Sequence, residues 1–279
     1  MRIARPRTLP ETFDALDQLP EAQLLAGGTD FMVEVNFGHR RPLAVVGLRR
    51  VEELMGFERT DDELILRAAL TWTEVETQLN NELPALAAAA RTVGSPQMRN
   101  VGTLGGNLGT ASPAGDALPV LAAMDAAVVL VSQAGERRLP LPAFITGVKR
   151  TTIQPGEIIR EVRVPRLRGP QHFLKVGTRN AMVISIACAA VVLDVEGRTV
   201  RCGLGAVAPT PIRASVAESF IAGAIDWDGP RASPAAVARF GELAAAAASP
   251  ITDHRSTAEY RRHALKVITT RALRRSLAA

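Results

Sequence analysis

The chain has 279 residues, 47% of them hydrophobic and 22% charged, a composition that excludes disorder and a length that suits two compact units. Two cysteines, Cys188 and Cys202, cannot hold an iron–sulfur cluster or a structural zinc alone, which excludes a redox metal ligated by this chain itself. The net charge of +5 lies in the tail: Arg255, Arg261, Arg262, Lys266, Arg271, Arg274 and Arg275 face only Asp253 and Glu259 there, and the rest of the chain is neutral overall.

The first fifty residues read as helix, strand, helix, strand. Pro10 suits the first turn of a helix over 11–19 that Pro20 closes. Ala22–Ala26 is a short apolar run entering Gly27-Gly28, Phe31, Val33 and Val35 fit helix or strand with helix preferred, and 43–48 is a β-branched strand. Leu64-Ile65-Leu66 is another strand. Thr71 with Glu74 three residues on forms a capping box ahead of a short helix. An alanine-rich helix covers 83–92. Residues 94–115 then hold six of the 22 glycines, which predicts a loop, because each glycine inside a helix or strand costs ~0.5–1 kcal/mol.

A helix over 116–124 and strands over 127–131 and 158–164 follow. Arg166-Leu167-Arg168-Gly169-Pro170 is a polar, Gly/Pro-closed joint and the expected domain boundary. Beyond it, 171–176, 183–193 and 199–207 predict a three-stranded antiparallel meander, with Gly197 supplying a turn. Helices over 213–222, 233–248 and 257–276 finish the chain. In the last, Tyr260, Ala264, Val267 and Ile268 predict a packed face, with the arginines on the other. Cys188 reads as a small buried hydrophobe, with Cys202 on the following strand.

Two glycine pairs carry the chemistry. Leu25-Ala26-Gly27-Gly28-Thr29-Asp30 is a strand end, a glycine pair and polar residues at a helix start, where backbone N–H groups converge on an anion without side-chain obstruction. The plain alternative is a tight turn with Asp30 as an N-cap. Thr103-Leu104-Gly105-Gly106-Asn107 is a second such cradle. Neither is a dinucleotide fingerprint of the Gly-x-Gly-x-x-Gly type or a P-loop. Together they point to a diphosphate held between two subdomains.

Those segments, with Gln97-Met98-Arg99-Asn100-Val101-Gly102 before the second and Ser112-Pro113-Ala114-Gly115-Asp116 after it, resemble the FAD-binding medium subunit of the molybdenum hydroxylases, the xanthine dehydrogenase and aerobic carbon monoxide dehydrogenase family. Phe173–Asn180, Gly205–Pro211 and Ser256–Arg262 extend the resemblance to the C-terminal part. The resemblance implies an α+β architecture. Residues 1–168 would form a two-subdomain FAD-binding fold of the vanillyl-alcohol-oxidase (PCMH) type, divided near residues 53 and 54. Residues 169–279 would form a C-terminal α+β domain.

It also implies noncovalent FAD, with Leu25, Ala26, Gly27, Gly28, Thr29, Asp30, Thr103, Leu104, Gly105, Gly106 and Asn107 around the diphosphate and its sugars. Val93, Gly94, Asp116, Ile159 and Lys175 occupy other FAD-contacting positions. Asp116 has a second reading as a helix cap, and Lys175 as a solvated strand-edge charge. Molybdopterin would sit on a large partner subunit and [2Fe–2S] clusters on a small one, in a heterotrimer or its dimer. Electrons would pass from the clusters through this FAD to NAD, a quinone or oxygen.

No residue is then needed as base or nucleophile, and His39, His172, His254 and His263 read as surface or core imidazoles. The competing reading is a cofactor-free scaffold or assembly protein that kept the fold. Nucleic-acid binding would rest on the tail alone and is not expected. The N-terminus enters no apolar signal run and no stretch reaches the ~18 apolar residues of a membrane span, so the expectation is cytoplasmic.

Overall fold

The structure, a computed structural model, describes residues 1–278. It opens with a small parallel sheet made from β1 (Arg2–Ala4), α1 (Leu9–Gln18), β2 (Ala22–Leu25), α2 (Phe31–Asn36) and β3 (Ala44–Gly47). β3 lies between β1 and β2 and is parallel to both. Ala44, Val45 and Val46 are almost wholly buried, as a central parallel strand covered on both faces requires. Thr8 starts α1 by accepting the Glu11 N–H, with Pro10 in the first turn.

The second layer runs through β4 (Phe57–Arg59), β5 (Glu63–Arg67), α3 (Trp72–Gln78), α4 (Pro84–Thr92), α5 (Pro96–Arg99), α6 (Leu104–Thr110) and α7 (Ala117–Ala123). It closes with β6 (Ala127–Ser132), β7 (Gly135–Pro140), α8 (Leu141–Phe144), the small β8 (Ile145–Gly147) and β9 (Arg150–Thr151) hairpin, and β10 (Ile158–Pro165). Its sheet is antiparallel, ordered β4-β5-β10-β6-β7. The capping box of Thr71 and Glu74 forms as expected and starts α3. Glu161, on the central strand β10, is only 1% exposed because Arg67 and Arg163 pair with it on the sheet face.

The expected loop at 94–115 is wrong. The segment contains α5 and α6, and Gly105, Gly106 and Gly109 lie inside α6. Packing overrides propensity here: a Cβ on Gly105 would stand 2.7 Å from the Ala68 Cβ and 2.8 Å from the Ala68 carbonyl oxygen. Gly105 lets α6 lie against the backbone that follows β5.

The C-terminal part holds β11 (Gln171–Val176), β12 (Ala187–Asp194), β13 (Thr199–Gly205), β14 (Ile212–Arg213), α9 (Ser215–Ala222), α10 (Pro234–Ala246) and α11 (Ala258–Leu277). The expected three-strand meander is present, with its second strand starting at Ala187 rather than 183 because 183–186 belong to the loop from β11, and it gains a fourth, two-residue strand, β14, on β13. Its turn is carried by Arg198, which takes the positive φ of 48°, whereas Gly197 lacks a positive φ and donates its N–H to Asp194. β12 is buried on both faces. Cys188, Ala190 and Val192 join the core of the first 167 residues, while Ala187, Ala189, Val191 and Leu193 join the core beneath α9, α10 and α11. Cys202 pairs with Val191, so the two free cysteines point to opposite faces.

The terminal helix also departs from expectation. Tyr260 and Val267 are exposed, and the buried side of α11 is Arg261, Ala264, Leu265, Ile268, Thr269, Ala272, Leu273 and Ser276. Arg261 is drawn in because its guanidinium donates to the carbonyls of Ile186 at 2.6 Å and Ala206 at 3.1 Å and to Asp253 at 2.8 Å. Among the described residues no helix is long and apolar enough to cross a membrane.

Candidate functional site

A cavity of about 630 Å³ opens where the two sheets and β11 meet. The β2–α2 turn supplies Leu25, Ala26, Gly27, Gly28, Thr29 and Asp30, and the end of α4 supplies Val93 and Gly94. Thr103, Gly105, Gly106 and Asn107 come from the start of α6, Asp116 from the approach to α7, Ile159 from β10 and Lys175 from β11. Leu104 is the exception: its side chain is fully buried in the core, because an α6 packed through Gly105 turns the preceding residue inward. Thr92, Glu34, Arg40, Lys149, Val183 and Ile184 also line the cavity, and no sequence motif singled them out.

The two glycine turns face each other. A Cβ on Gly27 would fall 1.9 Å from the Val101 carbonyl oxygen, so the first turn rests on the backbone leading into α6. Gly28 has φ +77°, a conformation that swings the chain into α2. Among the described residues no protein acceptor meets the N–H of Gly27, Gly28, Thr29, Asp30 or Phe31, so five successive donors stand ready for a ligand. Asp30 makes no capping bond, which excludes the plain N-cap reading.

The second turn is different. Leu104 donates to Leu70 at 2.9 Å, Gly105 to Ala68 at 2.8 Å and Asn107 to Thr103 at 3.0 Å. Gly106 donates to the Thr103 hydroxyl at 3.0 Å. The backbone donors expected there are therefore consumed inside the protein. What this turn offers a ligand is the Asn107 side chain, whose buried Oδ1 has no partner.

Residues 1–167 match the family described as the FAD binding domain in molybdopterin dehydrogenase, and 172–276 match the CO dehydrogenase flavoprotein C-terminal domain. The chain belongs to this molybdopterin dehydrogenase flavoprotein family. The nicotinate dehydrogenase FAD-subunit of Eubacterium barkeri is 32% identical to it over 232 residues, which is 78% of each chain. The xanthine dehydrogenase FAD-binding subunit of Escherichia coli O157:H7 is 30% identical over 285 residues, covering 99% of this chain and 95% of that one. Carbon monoxide dehydrogenase from Hydrogenophaga pseudoflava superposes with a TM-score of 0.90 at 28% identity, covering 100% of this chain and 97% of the other.

The family's cofactor is FAD, and the flavoprotein's cavity fits it. Its volume is ample for a large ligand, the run of unpaired N–H groups suits a diphosphate, and the orphaned Asn107 oxygen needs a donor that the protein does not supply. Leu54, Trp72, Ile153 and Ile158 add apolar wall for ring systems.

Charge is placed at two points of the flavoprotein's cavity wall. Asp116 does not cap α7; its Oδ2 receives the Lys175 ammonium at 2.5 Å and the Thr92 hydroxyl at 3.0 Å. The pair is buried, Lys175 being 9% and Asp116 6% exposed, so Lys175 is not a solvated edge charge. The second point is Glu34, which accepts from Lys149 at 3.0 Å and Arg40 at 2.8 Å. The bond from Lys149, with its charge and that of Arg40, holds the Glu34 carboxyl below the usual range against the opposing effect of burial. The pair ties α2 to the β8–β9 hairpin. Burial, reinforced by the charge of Asp116, pushes the Cys188 thiol far up and leaves it inert. None of the four histidines lines the cavity.

Proposed function

We propose that this chain is the flavoprotein component of a multi-subunit molybdenum hydroxylase. It would receive electrons from [2Fe–2S] clusters on a small partner chain and deliver them to a terminal acceptor, NAD, a quinone or oxygen. A large chain with molybdopterin would complete a heterotrimer or its dimer, in the cytoplasm. The observation that carries this reading is the run of unpaired donors at Gly27–Phe31 opposite Asn107 in one cavity. Residues 1–168 would bind the cofactor, and 169–279 would close the cavity through Lys175.

When bound, FAD supplies the redox chemistry, accepting electrons from one partner and yielding them to another. The chain's own residues hold and orient. The N–H groups of Gly27 to Phe31 would bind the diphosphate, with Thr29 adding a hydroxyl. Asn107 would accept from a sugar hydroxyl, which its side-chain oxygen can do and a backbone N–H cannot. Val93, Gly94 and Ile159 would shape the wall around the rings, and Lys175 would present a fixed positive charge. The charge comes already paired with Asp116, so the site does not hold an isolated buried cation.

Purification from the native host tests the whole reading. The expected outcome is a yellow preparation that releases FAD on denaturation, with a molybdopterin chain and an iron–sulfur chain at equal stoichiometry. A colourless protein that FAD cannot reconstitute would sink it and favour the scaffold.

A further inference from the structure

Ser185 lies behind the cavity wall at the end of the loop that joins β11 to β12, and it is 1% exposed. Its hydroxyl donates to Asp116 Oδ1 at 2.5 Å, while Lys175 and Thr92 both bond the other oxygen, Oδ2. Thr92 is a weaker anchor, because its single hydroxyl proton is shared between Ala89 O at 2.8 Å and Asp116 Oδ2 at 3.0 Å. Ser185, which also meets the Cys188 thiol, holds the carboxylate through the oxygen that the lysine does not use.

A carboxylate held through one oxygen can swing about its Cβ–Cγ bond. The ammonium that follows it sits on a flexible four-carbon stem. Both charges line the cavity, and Ser185 does not. Its two predecessors, Val183 and Ile184, do, so the same hydroxyl also pins that stretch of wall to Asp116.

We propose that Ser185 is a positioning residue for bound FAD: through Asp116 it sets where the Lys175 ammonium stands and how the 183–184 wall closes on the cofactor. This rests on the cavity being the FAD site. The role differs from filling space, because it acts through one carboxylate oxygen and vanishes when that carboxylate is gone.

The test is a double-mutant cycle on the full-length chain, read by titrating the deflavinated protein with FAD and recording the visible circular dichroism of the bound flavin. Ser185→Ala should weaken FAD binding about tenfold, as expected for losing a hydrogen bond to a charged group, and should change the dichroism. In an Asp116→Ala background, which removes the acceptor, the same replacement should add less than about twofold. Thr269→Ala removes a buried hydroxyl bonded within α11, away from the cavity, and should lower stability while leaving FAD affinity unchanged.

Equal affinity of Ser185→Ala and wild type overturns the proposal alone. So does an undiminished tenfold loss in the Asp116→Ala background, or a loss in Thr269→Ala as large as that in Ser185→Ala. A wild-type chain that takes up no FAD overturns the cofactor reading and this proposal with it.

Discussion

The two glycine pairs, Gly27-Gly28 and Gly105-Gly106, look alike in the sequence and differ in the fold. The first ends a strand and leaves five N–H groups without a protein partner among the described residues. The second is the first turn of a helix whose N–H groups are all paired, and its glycine at 105 exists to let that helix touch Ala68. One turn presents donors to a ligand; the other sets the distance at which the cavity wall stands. A glycine pair therefore says that a side chain is excluded and does not say by what. The answer lies in where the backbone donors go.

The difference can be broken by substitution. The largest effect is expected at Gly105→Ala, where the new methyl meets Ala68 backbone that cannot give way. About 2–3 kcal/mol should be lost in urea unfolding, with FAD binding lost as a consequence. If stability held and only FAD binding fell, the second turn would be a ligand cradle after all.

Gly28→Ala comes next. Its methyl meets only the Leu25 and Met32 side chains, at 3.5 and 3.7 Å, so the cost is the positive φ, about 1–2 kcal/mol. Here FAD affinity should fall further than stability does, since the donors are displaced directly. Gly106→Ala is smaller still. A helix favours alanine, the Thr103 hydroxyl at 3.0 Å opposes it, and stability should stay within about 0.5 kcal/mol while the methyl enters the cavity and weakens FAD uptake.

The weakest effect is a control outside both turns. Burial alone would raise the Asp253 carboxyl, but the N–H groups of Arg255 and Ser256 and the Arg261 guanidinium outweigh it and hold the pKa at about 2 rather than 3.8. A depressed carboxyl stabilises the fold above its ordinary pKa and loses that contribution as pH falls through the folded value. Asp253→Asn should therefore flatten the acid limb of stability between about pH 4 and pH 2 and leave FAD affinity at neutral pH unchanged. A parallel loss of FAD would mean that the Arg261 contacts reach the cavity.

Local signals were the legible ones. The Thr71–Glu74 box, the apolar runs of β3, β5, β6 and β10, and the proline-marked helix starts depend on neighbours a few residues away, and they stand where the pattern puts them, while β12 keeps its apolar run but starts at Ala187 rather than 183. The strands that escaped are short or charged: β1 and β4 have three residues each, and β7 reads Gly-Glu-Arg-Arg-Leu-Pro at a sheet edge. Helix α6 was hidden because its glycines argue against helix locally, and the one at 105 is required by Ala68, more than thirty residues earlier.

In the site, the glycine pairs, Asn107, Asp116 and Lys175 were legible through a family pattern. Ser185, Thr92 and the Glu34–Lys149 clasp were not, since single hydroxyls and surface charges acquire meaning only from partners distant in sequence. The same holds for Arg261, a tail arginine turned inward by two carbonyls and Asp253.

The alternation along β12 has a chemical consequence. Cys188 looks into one core and Cys202 into the other, each thiol fully enclosed and shifted by burial far above the range where it reacts. Each is thus a reporter for one face of a single sheet. An alkylating reagent can reach Cys188 only when α4 and α7 lift away, and Cys202 only when α9, α10 and α11 do. If labelling of the two proceeds at one common rate, both faces open together and the chain unfolds as one unit; if Cys202 labels first, the C-terminal helices peel away from a cavity that still holds its shape.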